Sequence, residues 1–325
     1  MTPDPTLGSP GSTASYKRGP HWVAIFGAIF TLPLLFVGGS VTTYRVGMAV
    51  PDWPTTFGIN MFLFNFWHAP FGVQVEHTHR LYGSAVGLAT IVLTVWFLVA
   101  EKRKGMKVLG VLALVLVIAQ GILGGTRVTQ NSTGLAALHG IMGQTFFALM
   151  VALCVLTGRD WIETRSRQVD TGHLRRRALV TLIMVAVQIA IGAWLRHFPH
   201  QHGVYLHALV ALAVWSHAGM LATRIERRKD ELKPLLPSAR ALGISVTLQF
   251  ALGVAAWWML RPFDGIPRTV TLLQAMVRTG HQTNGALLLA AIVVLTLRTY
   301  RHLAPSGEMS KAPRPNGALD WEAVA

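Results

Sequence analysis

Charged residues are scarce in this sequence. Asp, Glu, Lys and Arg together make up 13% of the 325 residues, whereas an ordinary soluble domain contains roughly 25%. Hydrophobic residues make up 52%. This composition excludes an ordinary soluble domain and indicates a membrane protein.

Cysteine is almost absent. The single cysteine, Cys154, lies inside an apolar run, and we interpret it as a buried core thiol. One cysteine excludes an intrachain disulfide, and it excludes a cysteine-based metal site.

Acidic residues are few, with 14 Asp and Glu against 29 Lys and Arg and a formal net charge of +15. The basic residues occur in short clusters between apolar runs. They lack the alternation with aromatic residues and the reading motifs of nucleic-acid-binding proteins. We therefore predict no nucleic-acid partner, and we attribute the clusters to orientation in a membrane.

Eight apolar runs free of Asp, Glu, Lys and Arg are present, and each has about the length needed to cross a bilayer. They predict an all-α integral membrane protein with eight transmembrane helices, and we expect no cleaved signal peptide before the first. Alternate assignment of the connecting segments places all but seven of the 29 Lys and Arg residues on the side of both termini. The positive-inside bias therefore predicts cytoplasmic N and C termini. The runs cover residues 22–42, 81–100, 108–126, 135–157, 178–195, 203–223, 241–260 and 279–297.

The seven basic residues on the predicted outer side are all arginines, and four of them lie near a histidine or at a helix end. Arginine binds carboxylates with a forked pair of donors, which suits an anionic ligand at the outer surface. The alternative is that these side chains extend to lipid phosphate. The four are Arg80, Arg127, Arg196 and Arg278, and the other three are Arg45, Arg261 and Arg268.

Every even-numbered predicted helix opens with a histidine, and all four of these helices enter from the outer side. The histidines are His79, His139, His207 and His281. A single histidine on a membrane helix is more often a packed core residue than a ligand. Four at equivalent positions favour two pairs of haem-iron ligands, each pair approaching a flat ligand from two faces. We pair His79 with His139, and His207 with His281.

A repeated Gln-x-x-x-Gly pattern on the odd-numbered helices supports duplicated halves. Nineteen residues separate Gln120 from His139, and nineteen separate Gln188 from His207. We predict a polar N-terminal segment, an N-terminal four-helix half with the substrate site, a cytoplasmic linker, a C-terminal four-helix half and a disordered tail. Their respective limits are residues 1–21, 22–157, 158–177, 178–303 and 304–325.

Glu76 precedes His79 by three residues, so the two share a face of a helix. A partly desolvated carboxyl group there can deliver protons to bound oxygen or orient the imidazole. The alternative is a salt bridge to Arg80 or a neighbouring arginine. His77 is interpreted as a rim residue. The long outer segment from Thr43 to Val75 is rich in aromatic residues and is predicted to form an interfacial lid over an outer pocket.

Across residues 22–300 the sequence resembles the haem A synthase family. The motifs that carry this resemblance are Glu76-x-x-His79-Arg80, Pro51-Asp52-Trp53-Pro54, the segment from Gly124 to Thr129, Leu138-His139-Gly140 with Gln144, Leu206-His207-Ala208 and His281-Gln282-x-Asn284-Gly285. Each motif alone is weak, and together they are specific. The sequence departs from a frequent family pattern because its long outer loop has no cysteine pair.

The resemblance implies two pseudo-symmetric four-helix bundles and oxidation of a haem O methyl group to the formyl group of haem A, through a hydroxylated intermediate. This serves haem-copper oxidase biogenesis. It implies haem b held by His207 and His281, substrate haem O near His79 and His139, and Glu76 as an essential acid. It further implies haem O synthase and a ferredoxin-type or other electron donor as partners. The location would be the bacterial cytoplasmic membrane or the mitochondrial inner membrane, among membrane lipid, with the haem sites toward the outer side.

Four points stay open. Two histidines would fill both axial positions of an iron that needs one open to react with O2, so one must leave or only one binds. A second interpretation is a di-haem membrane cytochrome that only transfers electrons, which has no use for Glu76. A structural or assembly role at a respiratory oxidase leaves the four histidines unexplained. Homo-oligomer formation is also left open.

Overall fold

The computed structural model describes residues 16–163, 167–168, 173–259 and 269–304. Within these ranges the chain is almost entirely helical. The helices are α1 (Arg18–Thr43), α2 (Phe71–Ala100), α3 (Lys104–Thr129), α4 (Thr133–Thr157), α5 (Arg159–Glu163), α6 (Leu174–His197), α7 (Gln201–Arg227), α8 (Leu236–Met259) and α9 (Leu272–His302). A 3-10 turn, Lys233–Leu235, precedes α8, and β1 (Arg167–Gln168) pairs in parallel with β2 (Leu303–Ala304).

Eight of these helices, all except α5, are long and apolar enough to cross a membrane. The prediction of eight spanning helices is therefore confirmed for the described residues. The helices extend beyond the apolar runs: α2 begins at Phe71 rather than Leu81, and α9 begins at Leu272 rather than Thr279. The predicted limits stop at the nearest charged residue, whereas the helical hydrogen bonding continues beyond that residue. Each of the four histidines consequently lies inside its helix rather than opening it.

Local signals explain two of the helix starts. The Ser132 hydroxyl accepts a hydrogen bond from the Leu135 N–H at the start of α4. Thr271 and Gln274 form a reciprocal capping box before α9. Such caps satisfy N–H groups that have no partner within the helix. They set the entry points of two of the helices that carry histidines.

The spanning helices pack as two groups of four. In the first group, α1 and α3 each contact both α2 and α4, and in the second, α6 and α8 each contact both α7 and α9. The groups meet where α9 packs on α1 and α4, and where α4 packs on α6. Leu35, Phe147, Ala286 and Ala290 form a buried cluster at this junction.

Pseudo-symmetry, the orientation of the termini and the domain limits stay predictions. The tail beyond Ala304, residues 1–15 of the polar N-terminal segment, Arg261 and Arg268 lie outside the described residues.

Candidate functional site

The four histidines lie in two pairs with nearly the same geometry. The ring centroids of His79 and His139 are 6.2 Å apart with an angle of 81° between the ring planes. Those of His207 and His281 are 6.3 Å apart, also at 81°. The structure thus brings together the residues that the sequence pairs.

A glycine on the preceding helix lies against each of these rings. A Cβ atom built on Gly38, Gly124, Gly192 or Gly253 would lie 2.7, 3.0, 2.8 or 3.1 Å from the Cε1 atom of the corresponding histidine. Each imidazole therefore occupies space that a side chain on the neighbouring helix would need. The glycines of the Gln-x-x-x-Gly repeat therefore make room for the histidine rings. The prediction from sequence did not include this role, although the regular spacing of the glycines was a signal for it.

Glutamines of the same repeat hold the histidine backbone. Gln120 Nε2 donates to the carbonyl oxygen of His139 at 3.1 Å, and Gln188 Nε2 donates to that of His207 at 2.8 Å. In the second pair, the amides of Gln188 and Gln249 also approach the histidine Nε2 atoms, at 3.5 and 3.4 Å. These last two distances are at the limit of a hydrogen bond, so the glutamine amides hold the rings only weakly.

The two pairs suit a metal held between imidazoles. A metal about 2 Å from one nitrogen of each ring puts the ring centroids roughly 6 Å apart, which matches both observed separations. The Nδ1 atoms of all four histidines are buried and make no hydrogen bond to a described residue. Buried polar atoms normally have a partner. No group of three or more His, Cys, Asp or Glu residues with metal-site geometry occurs in the described part of the chain.

Glu76 lies on α2 three residues before His79 and is buried, with 2% of the residue exposed. Its Oε2 atom accepts a hydrogen bond from the Val50 N–H at 3.0 Å, and its Oε1 atom accepts one from Arg80 at 3.0 Å. The salt bridge considered as an alternative is therefore present. No sequence signal could identify Val50, because it acts through its backbone.

Arg80 uses its guanidinium group to hold the loop over residues 44–70. Its Nη1 atom donates to the carbonyl oxygens of Asp52 and Thr55, both at 2.8 Å, and its Nη2 atom donates to that of Val50 at 3.0 Å. Together with Glu76, these acceptors occupy both terminal nitrogens. Contact between Arg80 and a cofactor stays a prediction.

The loop over residues 44–70 is ordered without a disulfide. The Asp52 carboxylate accepts hydrogen bonds from the Thr55 hydroxyl and the N–H groups of Phe57 and Gly58. Desolvation raises the pKa of Asp52, but the hydrogen bonds from Gly58, Thr55 and Phe57 outweigh it and lower that pKa to about 2. Trp53 packs directly on Gly125 of α3, where no side chain would fit.

His77 is fully buried beneath this loop, so its interpretation as a rim residue is wrong. Its Nδ1 atom lies 3.2 Å from the Thr56 hydroxyl, and its ring packs against Phe64 and Phe66, with centroids 5.3 and 4.7 Å away. These contacts cover the Glu76 end of α2. Other aromatic and apolar residues of the loop point outward and are exposed, namely Phe62, Leu63 and Trp67.

The remaining predicted arginines have different surroundings. Arg127, in the last turn of α3, is close enough to Glu76, His79 and His139 for electrostatic interaction. Its side chain donates no hydrogen bond to another described residue. Arg127 is therefore the predicted arginine best placed to bind an acidic group at the first pair.

Arg196 and Arg278 lie near the junction between the two helix groups. Arg196 donates from α6 to the Gly39 carbonyl oxygen and the Thr43 hydroxyl of α1, at 2.7 and 2.6 Å. Arg278 is half-buried near Arg196 and Arg45. Arg196 thus links the two groups, and the binding of a cofactor by either arginine stays a prediction.

We expect Arg80→Ala to destabilise the protein and loosen the loop, because it removes the partner of a buried carboxylate. Breaking a buried ion pair on one side costs about 3–5 kcal/mol. Thermal unfolding and limited proteolysis of residues 44–70 measure the effect. The control is Arg159→Ala, which breaks an exposed pair with Glu163 worth at most about 1 kcal/mol. Equal stability of the two variants would show that Arg80 does not anchor the loop.

The fold and site define an all-α integral membrane protein with two buried histidine pairs suited to haem iron. Residues 21–202 match the COX15-CtaA family model, described as cytochrome oxidase assembly protein. The chain belongs to this family. The match includes Glu76, His79 and His139, and it ends before His207 and His281.

Three similar curated proteins are each named heme A synthase. Those from an Exiguobacterium species, Exiguobacterium sibiricum and Shewanella oneidensis are 28%, 31% and 27% identical to the chain, over 201, 182 and 191 residues. The matches cover 60%, 54% and 53% of this chain. They span 64%, 59% and 56% of the relatives' own lengths, which is less than two thirds in each case.

Proposed function

We propose that this protein is a haem A synthase, which oxidises the methyl group of haem O to a formyl group through a hydroxylated intermediate. The observation that carries the proposal is the His79–His139 pair, whose ring centroids are 6.2 Å apart. The buried Glu76 lies about one helical turn before His79, and all three residues lie within the segment that matches the family. A methyl group is inert, so the oxidising power comes from the bound haem and oxygen, while the protein binds and orients them.

At the first pair, His79 and His139 bind the substrate haem O, and Arg127 pairs with one of its acidic groups. Either one of these histidines would release the substrate haem so that O2 could react, or only one would bind it while the other shapes the pocket. Arg80 and the Val50 N–H fix the positions of the Glu76 oxygens Oε1 and Oε2. The covering loop keeps water away from this end of α2.

At the second pair, His207 and His281 would hold haem b, which supplies one-electron transfer when bound. Gly192 and Gly253 allow the rings to approach their neighbouring helices, and Gln188 positions the backbone of His207. The support for this assignment is that the pair repeats the separation and angle of the first.

The decisive experiment expresses the full chain with a supply of haem O and analyses the extracted haems. Formation of haem A or its hydroxylated precursor supports the proposal. Unchanged haem O in a protein that carries reducible haem b would contradict it.

That contradicting result would support a di-haem membrane cytochrome that only transfers electrons. Two observations favour this second candidate: both histidine pairs have the same 81° geometry, and Glu76 is already engaged in an ion pair. The family membership of the first half favours the synthase.

We also propose haem O synthase as the upstream partner, a ferredoxin-type or other electron donor, and assembly as a homo-oligomer. The proposed location is the bacterial cytoplasmic membrane, or the mitochondrial inner membrane in a eukaryote, with cytoplasmic termini and haem sites toward the outer side.

We expect Gly192→Ala to reduce retained haem b about tenfold, the size of effect seen when a residue that orients a ligand is lost. The added methyl group would lie 2.8 Å from His207 Cε1 and displace the ring. The matched control is Gly280→Ala, next to His281, where a Cβ meets no described atom within 4 Å. Haem b content by absorption spectroscopy is the measurement, and equal content in both variants would contradict the role of the glycine.

A further inference from the structure

A large cavity lies between helices of the second group, at the end opposite the histidine pairs. Its volume is about 830 Å³, within the range typical of ligand pockets. Residues from α6, α7 and α8 line it. Four of them are arginines, namely Arg177, Arg224, Arg227 and Arg228, and its walls include Trp215 and Met220.

The cavity exists because small residues face it. A Cβ atom on Gly219 would meet no described atom within 4 Å, and one on Gly243 would meet only Ala222, at 3.5 Å. The contact between α2 and α3 in the first group is closed instead. There Phe97 packs over Gly110, and the Thr94 hydroxyl donates to the Gly110 carbonyl oxygen at 2.9 Å.

The walls of the cavity are apolar and lipid-accessible. Trp215 and Met220 are 41% and 57% exposed. The Trp215 ring lies 5.6 Å from that of Phe250 on α8, so it borders the gap between the two helices. Both residues lie on helices long and apolar enough to span the membrane, so their exposed surface faces hydrocarbon chains.

The mouth of the cavity carries an excess of positive charge. Of the nearby carboxylates Glu226, Asp230 and Glu231, two already have partners, since Glu226 pairs with Arg240 at 2.7 Å and Glu231 pairs with Arg228 at 2.6 Å. The side chains of Arg177, Arg224 and Arg227, by contrast, donate no hydrogen bond to another described residue. An anion at the mouth therefore gains Coulomb attraction from three guanidinium groups.

Cations at the same end of the first group are arranged differently. Arg103 pairs with Glu101 at 2.9 Å and donates to the Leu156 carbonyl oxygen. Lys107 donates to the Leu98 carbonyl oxygen at 3.0 Å. The positive-inside bias accounts for cations at this end in both groups, but it does not account for arginines that line a cavity and have no hydrogen-bond partner among the described residues.

We propose that this cavity binds one anionic glycerophospholipid, with its phosphate on Arg177, Arg224 and Arg227 and an acyl chain along Trp215 and Met220. Arginine binds phosphate through paired donors, and basic pockets between transmembrane helices bind anionic lipid head groups. A lipid that binds only the folded protein also stabilises it by mass action. This site is separate from the histidine pairs, and its test needs no haem.

The test is native mass spectrometry of the purified full chain with dioleoyl phosphatidylglycerol or dioleoyl phosphatidylcholine. We expect one phosphatidylglycerol molecule to be retained in preference to phosphatidylcholine. Each arginine near the membrane surface strengthens the binding of an anionic lipid roughly fivefold. The double variant Arg224→Gln/Arg227→Gln should therefore lower the preference for phosphatidylglycerol about 30-fold. Gly219→Leu, which fills open space and leaves the arginines in place, should reduce retention of both lipids.

The matched control is Lys102→Gln/Lys104→Gln, which removes two cations at the same end of the first group, away from the cavity. An equal loss of preference in this variant would show that surface charge alone attracts the lipid, and it would overturn the proposal. Thermal stabilisation by inorganic phosphate as large as that by phosphatidylglycerol would identify a free-anion site and overturn the lipid assignment. Equal retention of the two lipids by the unmodified protein would overturn it as well.

Discussion

Glu76→Ala abolishes haem A formation in a protein that still retains haem b: this is the first of the two largest effects we expect. Glu76 is buried about one helical turn before His79 on α2, and within the described residues it forms an ion pair with Arg80. A side chain held in this way can orient groups at the first pair or, as the carboxylic acid, donate a proton to them, whereas the second pair lies on other helices. Haem analysis after expression with haem O measures the conversion.

Loss of loop order is a second way in which Glu76→Ala could act, because the side chain also accepts from the Val50 N–H. Glu76→Gln separates the two causes. The amide keeps one acceptor oxygen, which can serve the Val50 N–H or Arg80 but not both. It removes the charge and the transferable proton, while Arg80 keeps its bonds to the loop carbonyl groups. We expect Glu76→Gln to lose conversion while residues 44–70 stay resistant to proteolysis.

Glu101→Ala is the matched control for this series. Glu101 follows the last residue of α2, and it is ion-paired with Arg103 at 2.9 Å, but it is at the opposite end of α2 from Glu76. We expect Glu101→Ala to convert haem O normally. Normal conversion by Glu76→Ala would refute the catalytic assignment, and normal conversion by Glu76→Gln alone would reduce Glu76 to a positioning residue for the loop.

His207→Ala and His281→Ala remove haem b from the purified protein: this is the second large effect. Loss of a residue that merely orients a metal ligand typically costs about 10–100-fold in affinity, and loss of the ligand itself should cost more. His79→Ala and His139→Ala should keep haem b, because those side chains belong to the first pair. Reduced-minus-oxidised absorption spectra and haem extraction measure the retained haem.

His217→Ala is the control for the second pair. His217 also lies on α7, where its Nδ1 atom is 2.9 Å from the Thr181 hydroxyl, and it belongs to neither pair. We expect His217→Ala to retain haem b in full. A wild-type haem b spectrum in His207→Ala or His281→Ala would place that haem elsewhere.

The sequence could predict the eight spanning helices and the pairing of the histidines. The helices follow from hydrophobicity along the chain, because an uncharged segment long enough to cross a bilayer forms a helix within it. The pairing follows from topology, because helices that enter the membrane from the same side carry their first residues at similar depth. The family motifs added the expected chemistry. The predicted starts of the helices were less accurate, since α2 extends back through His79 and Glu76 to Phe71. A helix can include charged residues when other parts of the protein provide partners for them.

The partners of the polar side chains could not be predicted. The guanidinium group of Arg80 can bind a carboxylate or a set of backbone carbonyl groups equally well. Only the folded loop shows that it binds the carbonyl oxygens of Val50, Asp52 and Thr55. His77 is two residues from His79 in sequence, yet it is buried under Phe64 and Phe66.

The sequence by itself determined that this is a helical membrane protein with a histidine on every second spanning helix. Its motifs were also sufficient to recognise the family. The tertiary structure decided that the imidazoles stand 6.2 and 6.3 Å apart, that glycines on neighbouring helices admit their rings, and that Glu76 and Arg80 are joined to the outer loop. The physical reason is that helix position depends on hydrophobicity along the chain, whereas these contacts depend on the packing of side chains that are distant in sequence.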